Sequence, residues 1–177
     1  RITVALLPFM TEIEPIICTL YDHESPLTER LGNVRQLFLD ANRLADPGAI
    51  ARYVKILRDE KIDLIHAQLI HGTVMSSTAG LATGIPFVIT RHVVEDDLTT
   101  KKKRRMVWAE KLASKRAAGI VYVSDAQRQR HLEAYDYPRA KTRVLYNGLD
   151  LSRFDNEASP DIPVAGSCPT VLMVGHV

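Results

Sequence analysis

The chain has 177 residues, 46% of them hydrophobic and 25% charged, with a formal net charge of +2. That balance is ordinary for a globular protein, and the length suffices for one substantial domain with a fragment of another. The near-neutral charge argues against nucleic acid as a partner. No apolar stretch reaches the roughly 20 residues that cross a bilayer, and the opening residues 1–10 lack the layout of a signal peptide. Of the two cysteines, Cys18 sits in an apolar run with Ile16 and Ile17 and reads as a small core hydrophobe. Its spacing to Cys168 fits no metal or redox motif, a pattern that suits a reducing cytoplasm.

Residues 2–4 are strand-like, residues 5–10 read as helical, and no glycine-rich turn separates them. A doubly wound fold normally follows its first strand with such a turn, so a missing segment is expected near Thr3 and Val4. Asp46 and Pro47 form a helix-start signal. Ile50, Tyr53, Val54 and Leu57 follow at helical spacing, predicting a one-faced helix over 47–60. The short apolar run 62–67 predicts a buried parallel strand. Residues 72–83, rich in small side chains, predict a helix able to approach a sheet closely, closed by Gly84.

The next strand is expected over 85–90. A basic stretch, Lys101, Lys102, Lys103, Arg104 and Arg105, leads into a helix over about 102–118. A strand at 119–123 follows, then a helix capped by Ser124 and running to about Tyr135, and a strand at 142–146 stopped by the turn pair Asn147 and Gly148. This alternation predicts an α/β fold with a parallel sheet and helices on both faces. Three segments of chain are therefore expected: an α/β domain over 1–155, a linker over 156–169 broken by Pro160, Pro163, Gly166 and Pro169, and the first strand of a second domain over 170–177.

Four stretches, in order, resemble the N-terminal domain of the family 4 retaining glycosyltransferases, enzymes of the GT-B class with two Rossmann-like domains. They are KIDLIHAQLIHG (61–72), GIPFVITRH (84–92), AAGIVYVSDAQR (117–128) and RVLYNGLDLSRF (143–154), and the closing PTVLMVGH is similar to the first strand of that family's donor domain. The resemblance covers residues 60–177. The chain departs from the pattern in lacking the glycine-rich loop and in carrying Gly175 and His176 where the family has Gly-Arg. The resemblance implies transfer of a sugar from a nucleotide-sugar to a carbohydrate, lipid-linked or small-molecule acceptor with retained anomeric configuration. The donor is a substrate, and no separate cofactor is expected. Most groups that stabilise the departing diphosphate are expected outside this chain, which would be inactive or nearly so by itself.

His92 is the expected catalytic residue. It follows an apolar strand, where ligands of open α/β sheets gather, and its imidazole can donate to a sugar hydroxyl or a phosphate oxygen; a solvated loop histidine is the plain alternative. Gln68 and His71, read as loop residues, are expected to touch the acceptor, whereas His66 reads as a partly buried histidine bonded to backbone. No carboxylate joins these histidines as a third ligand, so no metal is expected. Ser124 is foremost a helix cap, and with Arg128 it could also meet an acceptor phosphate. Asn147 and Gly148 form a turn that in the resembled family lines the cleft. The basic run Lys101–Arg105 with Trp108 admits two readings, a solvated helix start that is partly a mobile loop, or a patch that docks a cytoplasmic enzyme on an anionic membrane. A non-catalytic sugar-, nucleotide- or protein-binding module and a sugar-nucleotide epimerase of the same class are the alternative functions.

Overall fold

The computed structural model describes residues 7–21, 31–41, 46–92, 101–135 and 137–148. The chain divides into two compact units, 1–147 and 148–177, and the described residues other than Gly148 belong to the first. The expected linker, the terminal strand and the junction at Thr3 and Val4 all lie outside the described residues.

A single 3-10 turn at Leu7–Phe9 stands where helix was expected. Strands β1 (Ile16–Thr19) and β2 (Arg35–Phe38), which sequence patterning did not predict, pair in parallel as a two-stranded sheet. Helix α1 (Pro47–Asp59) starts where its cap signal put it, since the Asp46 carboxylate accepts from the Gly48 and Ala49 amides at 2.9 and 3.2 Å. It buries Ala49, Tyr53 and Leu57, with Ile50 and Val54 packed beside them. Arg52 reaches from this helix to the Leu39 and Asp40 carbonyls and ties α1 to the end of β2.

Strand β3 (Ile65–Gln68) runs directly into α2 (Leu69–Thr83). The helix therefore begins three residues before Gly72, and no loop separates strand from helix. The reversal is concentrated at Leu69, whose φ of 61° is left-handed, a conformation costing a residue with a Cβ about 1–2 kcal/mol. Thr73, Ser76, Ser77 and Ala79 are buried in α2, and the Thr73 and Thr83 hydroxyls bond back to the carbonyls of Leu69 and Ala79. Gly80 is the close approach: a Cβ there would stand 3.0 Å from the Ile85 carbonyl oxygen. Gly84 ends the helix at φ 78°, as expected.

The remaining elements alternate as predicted, with small shifts of boundary: β4 (Phe87–Arg91), α3 (Lys101–Arg116), β5 (Gly119–Tyr122), α4 (Asp125–Tyr135) and β6 (Thr142–Val144). Strands β3, β4, β5 and β6 form one parallel sheet in that order. This is the Rossmann-like α/β architecture, and parallel pairing brings the C-terminal ends of all four strands to one edge. The core beneath it draws Leu39 and Ala41 from after β2, Tyr53 and Leu57 from α1, and Ile89, Ile120 and Tyr122 from the sheet. Cys18 packs against that core as expected, and burial pushes its thiol pKa up to about 11. The whole run Lys101–Arg105 is helical, so the expected mobile loop is replaced by the first turn of α3.

Candidate functional site

At the C-terminal ends of β3 and β4 a cavity of about 190 Å³ opens between α2, α3, α4 and Tyr137 just past α4. His92, the first residue past β4, and His71, in the first turn of α2, both line it and are half-buried. Thr90 joins them, and its hydroxyl lies 2.7 Å from Nε2 of His66. His66 was expected to be partly buried and bonded to backbone; the residue as a whole is exposed, because β3 turns that position away from the core, and its ring's partner is a side chain. Crowding of the ring by protein atoms, then the neighbouring His92, lowers the His66 pKa from its ordinary value.

Beneath the histidines lies an ion pair that sequence reasoning missed. Arg91 Nη2 stands 2.7 Å from Glu110 Oε1, with the two side chains only 10% and 6% exposed. The same nitrogen donates to the Tyr137 hydroxyl at 3.0 Å, and the guanidinium lies 5.5 Å from that ring's centre. Desolvating two charges costs several kcal/mol per ion unless attraction and further hydrogen bonds offset it, and this site supplies both. One donor, Arg91 Nε, has no partner among the described residues. Glu110 belongs to a buried stripe of α3 with Ala113 and Ser114, continued by Ala117 just past the helix end. That spacing of three, four and seven is the signal that could have found it.

His131 of α4 completes the cavity's inner wall, edge-on to Tyr122 at 5.4 Å and tilted against Tyr137 at 6.2 Å. Burial, then the positive charges of Arg91 and Arg130, hold its pKa down to about 4. Burial pushes the Tyr122 hydroxyl up to about 12. Both groups are therefore neutral near pH 7, and the net charge lining the inner wall rests on the Arg91–Glu110 pair.

Apart from His92 and His71, the expected site residues do not line this cavity. Gln68 ends β3 beside it, as the N-cap position of α2 and not in a loop. His71 likewise lies on the helix, where its ring meets Tyr21 edge-on at 6.5 Å. Ser124 caps α4, its hydroxyl accepting from the Gln127 amide at 3.3 Å. Arg128 spends donors within the fold, on Thr142 Oγ1 at 2.9 Å and Asp125 Oδ1 at 3.4 Å. Asn147 and Gly148 are exposed, Asn147 lies beyond β6 on the same edge of the sheet as His92, and the chain after Gly148 lies outside the described residues. On the outward face of α3, Trp108 and Leu112 are 67% and 42% exposed, with Arg104 and Lys115 exposed along the same helical face. The side chains of Lys101, Lys102 and Lys103 lie outside the description.

The profile of Glycosyltransferase Family 4 matches residues 12–153. An Escherichia coli protein, UDP-Gal:alpha-D-GlcNAc-diphosphoundecaprenol alpha-1,3-galactosyltransferase, is 25% identical over 138 residues, covering 73% of this chain and 36% of that protein. Among solved structures, Anabaena HepE in complex with UDP-glucose aligns with a TM-score of 0.65 at 19% identity, over 85% of this chain and 40% of its own. A glycosyltransferase from Rickettsia africae aligns with a TM-score of 0.66 at 21% identity, over 87% of this chain and 40% of its own. The chain thus spans well under half the length of these relatives, and the structural likeness is to their fold. No helix among the described residues is long and apolar enough to cross a membrane.

Proposed function

The chain belongs to glycosyltransferase family 4, and from that premise we propose that it is the acceptor-facing part of an enzyme moving a sugar from a UDP-sugar to a lipid-linked acceptor, with retention of anomeric configuration. The observation that carries this reading is the convergence of His92 and His71 on one cavity at the C-terminal end of β4, which the nearly buried Arg91 also lines. Imidazole donors at a strand end suit sugar hydroxyls and phosphate oxygens. In the proposed reaction the bond from the anomeric carbon to the diphosphate oxygen breaks, the acceptor hydroxyl oxygen bonds to that carbon on the same face, and the hydroxyl proton passes to the departing diphosphate. Stabilising charge on the departing diphosphate is the main catalytic demand, and His92 orients the sugar and acceptor for it. Gln68, Ser124 and Asn147, on the same edge of the sheet, and Gly148 next in sequence are the further acceptor contacts of this reading; Arg128 belongs to it through the helix end that it steadies.

The lipid-linked acceptor accords with the E. coli relative, whose name specifies a diphosphoundecaprenol substrate. It also accords with α3. That helix begins with Lys101–Arg105 and has no acidic residue in its first turn, although a helix N-terminus disfavours positive charge. An anionic surface would offset that cost, and Trp108 on the exposed face suits the boundary between headgroups and hydrocarbon. We read α3 as a helix that rests on the cytoplasmic side of a membrane.

The test is His92→Ala in the full-length protein. Transfer should fall at least tenfold with an unchanged melting temperature, a loss equivalent to about 1.4 kcal/mol and within reach of one hydrogen bond to a charged group. Wild-type turnover by the folded variant would remove His92 from the site.

A further inference from the structure

Leu69 is accounted for neither by backbone geometry nor by packing. It holds φ at 61° between Gln68, which is extended at φ −127° and ψ 145°, and the buried Ile70. A bulky residue in the left-handed region is a genuine outlier, and glycine or asparagine would relieve it. The side chain gains little from the core in return, because it is 68% exposed. Strain of this kind gathers where a chain contacts a ligand.

The surroundings say what ligand. Leu69 lines the cavity together with Met106 and Val107 of α3, which are half-buried. Those three make an apolar flank of the mouth, which the half-buried His71, Thr90 and His92 share. The nearly buried Arg91 and Glu110 make a polar floor, where Arg91 Nε has no partner among the described residues. Ile70 and Ile89 line the cavity beside that floor, and a cavity that joins a charged pair to an apolar flank at Leu69, Met106 and Val107 fits a molecule with a polar head and a hydrocarbon tail. The mouth is formed in part by α3, whose outward face carries Trp108 and Leu112.

We propose that Leu69 is a specificity-determining residue: it holds an apolar side chain at the cavity mouth against the hydrocarbon carrier of the acceptor, while Arg91 and His92 face the acceptor's polar head. This rests on the transfer reading above. Leucine is kept at a strained position because contact with the hydrocarbon requires it.

The experiment compares two acceptors with the same sugar-diphosphate head, one on a long polyprenyl chain and one on a short alkyl chain, using the full-length enzyme. Leu69→Asn keeps the size of the side chain and tolerates left-handed angles, but removes its apolar character. It should raise KM for the long-chain acceptor fivefold or more, leave the short-chain acceptor within twofold of wild type, and melt no lower than wild type. Leu69→Met, still apolar, should retain the wild-type preference for the long chain. An active Leu69→Asn enzyme with an unchanged ratio between the two acceptors overturns the assignment of Leu69 alone. An equal loss on both acceptors also overturns it, since the residue would then act on the head or the fold. Wild-type enzyme that glycosylates neither acceptor overturns the transfer reading and this proposal with it.

Discussion

His131 is 1% exposed, between two tyrosine rings and close to Arg91. Its folded pKa of about 4 lies below the value near 6.5 of an unfolded histidine. The neutral ring is thus favoured by folding. Its contribution is fully present above pH 6.5 and is lost as pH falls from there through about 4, as the unfolded chain takes up the proton first. The melting temperature of wild type should therefore fall more steeply between pH 7 and pH 4.5 than that of His131→Gln, which lacks the titrating group. Parallel curves would mean that the ring is not held neutral. The residues of this cluster were visible in sequence, but their partnership was not. Arg91 looks like the polar end of a strand and Glu110 like one acid in a basic helix. Only the tertiary fold brings residues nineteen apart in sequence to 2.7 Å.

At the scale of elements, α1 tests how far local chemistry determines structure. Asp46 accepts two backbone amides and Pro47 occupies the first turn, so Asp46→Ala should lower stability by about 1 kcal/mol. Acceptor and donor KM should stay unchanged, because the cap is not part of the cavity; thermal unfolding identical to wild type would mean that the cap carries no stability. Helices announced by caps and C-terminal glycines were legible for this reason. The start of α2 was not, since its reversal uses leucine where turn chemistry leads one to expect glycine or asparagine. Strands β1 and β2 were missed because each has four residues and only partial burial. Ile16–Thr19 gives no alternation, and Arg35–Phe38 exposes both ends, so neither carries the period of two that marks a half-buried strand.

For the whole molecule, the ordered set of segments from 61 to 154 conveyed the family because each ends a strand at the same edge of the sheet, where sequence is tied to ligand chemistry. The outward face of α3 is legible differently. The run Lys101–Arg105 is plain in sequence, but the exposure of Trp108 and Leu112 needs the fold, since an isolated helix could turn either side inward. If this face meets a membrane, full-length protein should co-sediment with anionic but not neutral vesicles. Added salt should weaken binding, as should neutralising Lys101, Lys102, Lys103, Arg104 and Arg105 together, each cation near the surface contributing on the order of 1 kcal/mol at low salt. Binding independent of lipid charge would leave α3 a solvated helix.

The parallel pairing of every described strand also governs how this protein is made. Each partner of β3, β4 or β5 lies roughly twenty to thirty residues further along the chain, so no strand can close a hairpin with its neighbour and each must wait for a helix to be synthesised in between. At ribosomal rates of about 5–20 residues per second that wait is on the order of seconds. During it, Phe87–Arg91 and Gly119–Tyr122 each emerge with an open edge and side chains meant for the core. The same connectivity that gathers four strand ends at one edge of the sheet thus leaves the nascent chain dependent on shielding until its sheet is complete.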